Sequence, residues 1–419
     1  MARFLYPADI YLPDFDKVDG RAWATVACDQ FTSEPEYWER AAEVAKNSPS
    51  ALNVILPEAY LSETEQRIDR INQTMREYLS DVLVCHKNTM IYLERVQSDG
   101  KVRRGIVGAV DLEDYDYAKG SESLIRATEG TVLDRIPPRV RIRRNAEIEL
   151  PHIMILIDDE QKTVIEPICK KSADYKTAYD FDLMLGGGHV TGKFIPECDI
   201  DAINSALAGL ASREMMLEKY GINCAPLLFA MGDGNHSLAT AKALYEEIKA
   251  EIGEAAKSHP ARYALCEIVN LHDDALEFEP IYRVMFGVQP EAFVHDLEEY
   301  AKNLCGACDT VQRVEYIYGD VRGEIVIKSP ESQLTVGSVQ QFIDEYLKTH
   351  RGAEVDYIHG LASTYALAQR ENAVGLTFGG MEKNQLFRTV ICDGALPRKT
   401  FSMGHAEDKR YYIECRRIK

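Results

Sequence analysis

Apolar and polar positions divide this chain into short strands and amphipathic helices. The most informative run is 226–245, Pro226 to Tyr245. Residues 227–231 are continuously apolar, as expected of a strand covered on both faces. They lead into Gly232-Asp233-Gly234, a tight turn whose glycines permit positive φ and close backbone approach. A helix is expected from near His236 or Ser237. A helix start carries unbonded N–H groups and partial positive charge, so the turn suits a phosphate or a carboxylate. An ordinary strand-to-helix connection is the plain alternative.

The rest of the pattern follows in chain order. Residues 35–46 predict a helix opened by Pro35, and Ser62-Glu-Thr-Glu65 reads as a capping box before a helix to about Leu83. Residues 89–96 and 102–112 predict a hairpin around Ser98-Asp99-Gly100. Arg139, Arg141 and Arg143 alternate with Val140 and Ile142, which predicts a strand with a basic outer face. A second hairpin is expected from 152–157 and 163–168, and a single helix over 202–220, capped by Asp199 and ended by Gly221. Residues 262–271 predict a strand, and His272-Asp273-Asp274 after it an exposed turn, with a metal site as the alternative. Helices over 290–304 and 338–349, a hairpin from 314–318 and 323–327, and strands over 386–392 and 411–415 complete the reading. Interleaved strands and helices make this an α+β chain with mixed sheets.

Composition narrows the function. The chain has 419 residues, enough for two or three domains. A net charge of −19 argues against general nucleic-acid binding. No apolar run predicts a membrane span or a signal peptide, so a cytoplasmic protein without a membrane partner is expected. The ten cysteines are scattered, mostly inside apolar segments, which fits a reducing compartment. Cys305-Gly-Ala-Cys308 has no second pair at zinc-finger spacing. Gly187 and Gly192-Lys193 have P-loop spacing, but Phe194 stands where Ser or Thr should hold magnesium and Pro196 follows, so a P-loop is rejected. Against this acidic background, Arg135, Arg139, Arg141, Arg143 and Arg144 make a local positive field. Glu129, between Thr128 and Gly130, belongs to no amphipathic pattern.

Three stretches then resemble a known family: Ile125-Arg-Ala-Thr-Glu-Gly-Thr131, Met231-Gly-Asp-Gly-Asn-His-Ser237 and Leu396-Pro-Arg-Lys-Thr400. They are similar to motifs of the bacterial domain-of-unknown-function family numbered 1015, whose core is similar to ParB, sulfiredoxin and the free-serine kinases. Gly105-Ile-Val-Gly108 and Val355-Asp-Tyr-Ile-His-Gly360 add to the likeness. The resemblance implies three parts: an N-terminal α/β unit over 1–118, a ParB/sulfiredoxin-like nucleotide-binding core over 119–285, and a C-terminal α/β unit over 286–419 whose last turn returns to the site.

It also implies chemistry, transfer of a phosphoryl group from ATP or ADP, with Mg²⁺, to a hydroxyl of a free amino acid such as serine. In this reading Glu129 is the base, His236 donates to phosphate and Lys399 neutralises developing charge. Asp233, Gly234, Asn235, His236, Ser237 and Thr400 hold the nucleotide, and Asp233 holds the metal. Arg126, Thr131 and Arg135 bind the substrate. Relatives carry His before the Glu, His at position 235 and Arg at position 237; this chain has Thr128, Asn235 and Ser237. Lys242 is a candidate replacement for the lost arginine. These departures keep open a second reading, a nucleotide-binding sensor without turnover, and a homo-oligomer is compatible with either.

Overall fold

The computed structural model describes residues 3–130, 136–306, 308 and 310–419. They form two compact units, Met1–Leu276 with His405–Lys419, and Glu277–Gly404. This division departs from the three parts expected from sequence, because strands on both sides of residue 118 hydrogen-bond into one sheet. Backbone pairing of that extent leaves no place for a boundary. Among the described residues, no helix is long and apolar enough to cross a membrane.

The main sheet of the first unit contains, in chain order, β1 (Ile91–Val96), β2 (Val102–Asp111), β3 (Tyr115–Asp116), β4 (Ile125–Arg126), β5 (Met154–Ile157), β6 (Thr177–Asp182), β7 (His189–Phe194), β8 (Phe229–Asp233) and β9 (Tyr263–Asn270). Across the sheet the order is β6-β7-β1-β2-β9-β5-β8-β4-β3. Strand β9 runs parallel to β5, and β8 is antiparallel to β5 but parallel to β4, so the sheet is mixed. The central strands are buried on both faces, which is why they read as continuous apolar runs. Ile106, Ile155, Ile268, Leu238 and Tyr245 pack on one face; Trp23, Trp38, Val107, Leu265 and Tyr411 pack on the other.

The β1–β2 hairpin forms as expected, with Gly100 at φ +82° in its turn. The Gly-rich stretch runs into the inner strand β7, paired with β6 on one side and β1 on the other, and Ile195 and Pro196 separate it from the helix Glu197–Leu210. Two expected strands are helices. Residues Ile136–Arg144 form α1, and Glu166–Lys171 form α2. Proline is harmless in a first turn, where N–H groups have no intrahelical partner. Ile136 and Val140, one turn apart, pack against Ala239 and Leu244. Helical spacing therefore buries more than alternation would. The arginine field is neutralised by carboxylates: Arg139 pairs with Glu58, Arg143 with Glu149, and Arg144 with Glu247.

Two further corrections concern helix ends. The capping box does not form, since Glu63 precedes the helix Thr64–Asp81 without a side-chain cap. The helix expected over 202–220 is two, Glu197–Leu210 and Arg213–Tyr220. Ser212 caps the second, and Asp199 lies inside the first turn of the first.

The second unit has a sheet ordered Val321–Ile327, Gln312–Tyr318, Ala373–Phe378, Phe278–Phe286 and Glu354–His359, with Phe401–Met403 on the Phe278–Phe286 strand. Residues Gln385–Asp393, expected as a strand, are a helix that buries Leu386, Phe387 and Val390.

Candidate functional site

The expected strand, turn and helix form as β8, Gly234 and α3 (Asn235–Ile252). Gly234 sits at φ 77° and ψ 27° as the residue capping α3. A Cβ there would lie 3.0 Å from Ile153 Cα, so position and conformation together require glycine. No side chain caps this helix start. Asn235 Oδ1 is buried without a hydrogen-bond partner among the described residues. The start of α3 thus keeps backbone donors and the positive end of its dipole available for an anion.

Charged and polar side chains converge here from distant parts of the first unit. Asp233 Oδ1 accepts from Gly234 N at 2.8 Å, and Oδ2 lies 3.3 Å from Lys409 Nζ. Burial opposes ionisation of Asp233, but Lys409, His152 and the Gly234 N–H outweigh it and hold its pKa below the ordinary carboxylate value. His152 Nε2 lies 3.4 Å from Ser237 Oγ and 3.8 Å from Asp29 Oδ2. Its Nδ1 is 2.7 Å from the Tyr412 hydroxyl, which accepts from Cys28 N at 3.2 Å.

Lys409 and Tyr412 arrive on a C-terminal return clamped by buried charge. Arg95 Nη2 donates to Glu407 O and Arg103 Nη1 to Asp408 O. Arg410 Nε lies 3.0 Å from Glu267 Oε2, and Nη2 donates to Glu414 Oε2 at 2.8 Å. Gly105 makes room for this clamp, since a Cβ there would come within 2.7 Å of Glu267 Oε1. That contact gives the Gly105-to-Gly108 stretch a structural purpose.

The residues expected from sequence divide into several groups. Asp233, Gly234, Asn235, His236 and Ser237 lie together at the turn. Glu129 belongs to the same end of the sheet, because β4 runs parallel to β8 and the Thr128 hydroxyl donates to Met231 O at 2.8 Å. Arg126 is no free carboxylate binder; it is buried, and its guanidinium donates to the carbonyls of Ser123, Ala225 and Pro226. Lys242 does not replace the lost arginine, since it donates to Leu112 O and pairs with Glu246. Thr131 and Arg135 lie outside the described residues. Lys399 and Thr400 belong to the second unit, where Lys399 O accepts from Arg283 and the Thr400 hydroxyl donates to Pro397 O. Within the first unit, Lys409 stands beside Asp233. His152, Asp29, Lys409 and Tyr412 were missed from sequence, because no local pattern marks them.

A resident Mg²⁺ does not fit at Asp233 alone. One carboxylate oxygen accepts a backbone N–H and the other faces an ammonium. The metal-capable group found among the described residues, Asp158, Glu160 and His272, lies past the other end of β5. There Lys219 Nζ already stands 2.7 Å from Asp158 and 3.7 Å from Glu160. The 272–274 stretch is a turn, as expected, with Asp274 exposed, but Asp273 is buried and accepts from Arg104 N.

Solved structures with some similarity include a conserved hypothetical protein from Pyrococcus furiosus, at 11% identity and TM-score 0.33, over 72% of this chain and 96% of that one. A free serine kinase in complex with AMP is 11% identical at TM-score 0.36, over 73% and 90%. A mutant free serine kinase in complex with ADP is 12% identical at TM-score 0.37, over 75% and 92%. Likenesses this distant carry no argument about the site. Comparison with curated proteins finds no match. A family model described as a protein of unknown function, DUF1015, matches residues 12–415, nearly the whole chain, and the chain belongs to that family.

Proposed function

We propose that the cradle at the start of α3 binds nucleotide phosphate, from ATP or ADP, and that the protein transfers a phosphoryl group to the hydroxyl of a small molecule, a free amino acid such as serine. The observation that carries this reading is the meeting of an uncapped helix start with Lys409 and His152 at one turn. Backbone donors, an ammonium and an imidazole suit the oxygens of a phosphate chain. Phosphoryl transfer needs mainly positioning and neutralisation of charge, which these groups supply. Glu129, at the same end of the sheet, takes the hydroxyl proton. Mg²⁺ comes with the nucleotide and is held chiefly by its phosphates.

The second reading, a nucleotide-binding sensor without turnover, is favoured by Ser237 and by the engagement of Lys409 with Asp233. With a short neutral side chain at 237, neutralisation beyond the backbone rests on a lysine that is already shared. One experiment separates the two. The protein is incubated with Mg²⁺, ATP or ADP and pooled amino acids, and products are analysed by mass spectrometry. The kinase reading expects a phosphorylated amino acid that vanishes in Glu129→Gln while nucleotide binding persists. Binding without product removes the kinase and leaves the sensor; absence of nucleotide binding removes both.

A further inference from the structure

We infer that Tyr412 locks His152 in the tautomer protonated on Nε2, so that this residue presents a hydrogen-bond donor, not a base, to the candidate site. The inference rests on the anion-cradle reading only for what the donor meets; the lock itself stands on hydrogen-bond geometry. The Tyr412 oxygen already accepts the Cys28 N–H at 3.2 Å. A phenol has one proton to give. His152 Nδ1, at 2.7 Å, is the strong acceptor beside it, whereas the Cys28 thiol is a weak one. The phenol therefore donates to Nδ1. Neutral imidazole with Nδ1 accepting must carry its proton on Nε2.

The surroundings of Nε2 agree with that assignment. Asp29 Oδ2, an acceptor, faces it at 3.8 Å, and Ser237 Oγ at 3.4 Å can accept as well. His152 and Tyr412 are both buried, so solvent does not readily exchange these roles. A ligand group meeting Nε2 must be an acceptor, such as a phosphate or carboxylate oxygen. An amine, or a hydroxyl that has to lose its proton, finds no base there. Within the proposed transfer, this assigns His152 to phosphate recognition and leaves proton removal to Glu129. Tyr412 acts as a positioning residue.

The test is the ¹⁵N spectrum of histidine-labelled full-length protein at pH 8, with the His152 signal assigned by its loss in His152→Gln. The expected result is the Nε2–H tautomer in the unaltered protein and a mixture of tautomers in Tyr412→Phe. An Nδ1–H tautomer or an imidazolium in the unaltered protein overturns the inference, whether or not the variant folds. An unchanged tautomer in folded Tyr412→Phe overturns it too. Inorganic phosphate is then added, and a shift at Nε2 with Nδ1 unmoved is expected. If the Nε2–H tautomer is present but phosphate moves nothing, the lock stands and the anion-cradle reading falls.

Discussion

Strand β5 has an aspartate, a lysine and a histidine gathered near each of its ends, and the two groups do different things. Past its C-terminal end, Asp158 is saturated. Its Oδ1 meets His272 Nε2 at 2.6 Å and Lys219 Nζ at 2.7 Å, and its Oδ2 accepts from the Tyr220 hydroxyl at 2.5 Å. Before its N-terminal end, His152 stands with Asp233 and Lys409 beside a helix start that no side chain caps. The residues 152 and 158 are separated by about 20 Å at strand rise. The same three residue types therefore build a closed clamp at one end and an open cradle at the other. What separates them is whether backbone donors are left over once the side chains have paired.

The largest expected effect tests how the open end is built. Arg410→Met removes the cation between Glu267 and Glu414, whose side chains are 1% and 0% exposed. Glu267 keeps Arg103 and Glu414 keeps the Tyr179 hydroxyl, yet removing one partner of a buried ion pair costs about 3–5 kcal/mol, read as a lower urea midpoint. Phosphate binding should fall with it, because the clamp carries Lys409 and Tyr412. A variant as stable as the parent would mean that the clamp does not hold the cradle.

Next comes the closed end. Asp158→Asn should cost about 2 kcal/mol by leaving Lys219, Tyr220 and His272 poorly paired, with phosphate binding unchanged. Burial opposes ionisation of Asp158, but hydrogen bonds from His272, Lys219 and Tyr220 prevail and depress its pKa. A depressed folded-state pKa gives stability that is present above the unfolded value, about 3.9, and is lost as pH falls through the folded value. Stability of the parent should thus decline below about pH 5, and Asp158→Asn should decline less steeply over the same range. Parallel curves for the two proteins would show that Asp158 is not a pH-dependent clamp.

The lysines give a direct contrast. Lys409→Met is expected to weaken inorganic phosphate binding about tenfold, or ~1.4 kcal/mol, by calorimetry, and Lys219→Met to leave it unchanged. Equal losses would erase the distinction between the ends. The smallest effect belongs to Ser237→Ala, whose hydroxyl makes one long contact at 3.4 Å. Its stability should stay within about 0.5 kcal/mol of the parent in thermal unfolding. A larger loss would mean that Ser237, and not Tyr412, chiefly orients His152.

How much of this was legible in the sequence depends on the range of the interaction that decides each part. The hairpin around Gly100 and the strand–Gly234–helix unit are set by residues within a few positions of one another, and both form as read. The Arg139–Arg143 segment alternates like a strand, yet packing of Ile136 and Val140 on Ala239 and Leu244 selects a helix. The same competition turned 163–168 and 386–392 from expected strands into helices or their approaches, because short apolar runs fit both periods. Lys409 stands beside Asp233 although no motif marks it, because the pairing joins positions 176 apart.

By itself, then, the sequence determined the α+β character, the glycine turn and the helix start that follows it, since backbone sterics and hydrophobic period act locally. Tertiary structure alone decided the partners of that turn. His152 and Tyr412 are 260 positions apart, and Arg103 reaches Asp408 across 305. Such pairs leave no periodic trace in a single chain, and they meet only because the C-terminal return is threaded past Glu267 and held there by buried charge.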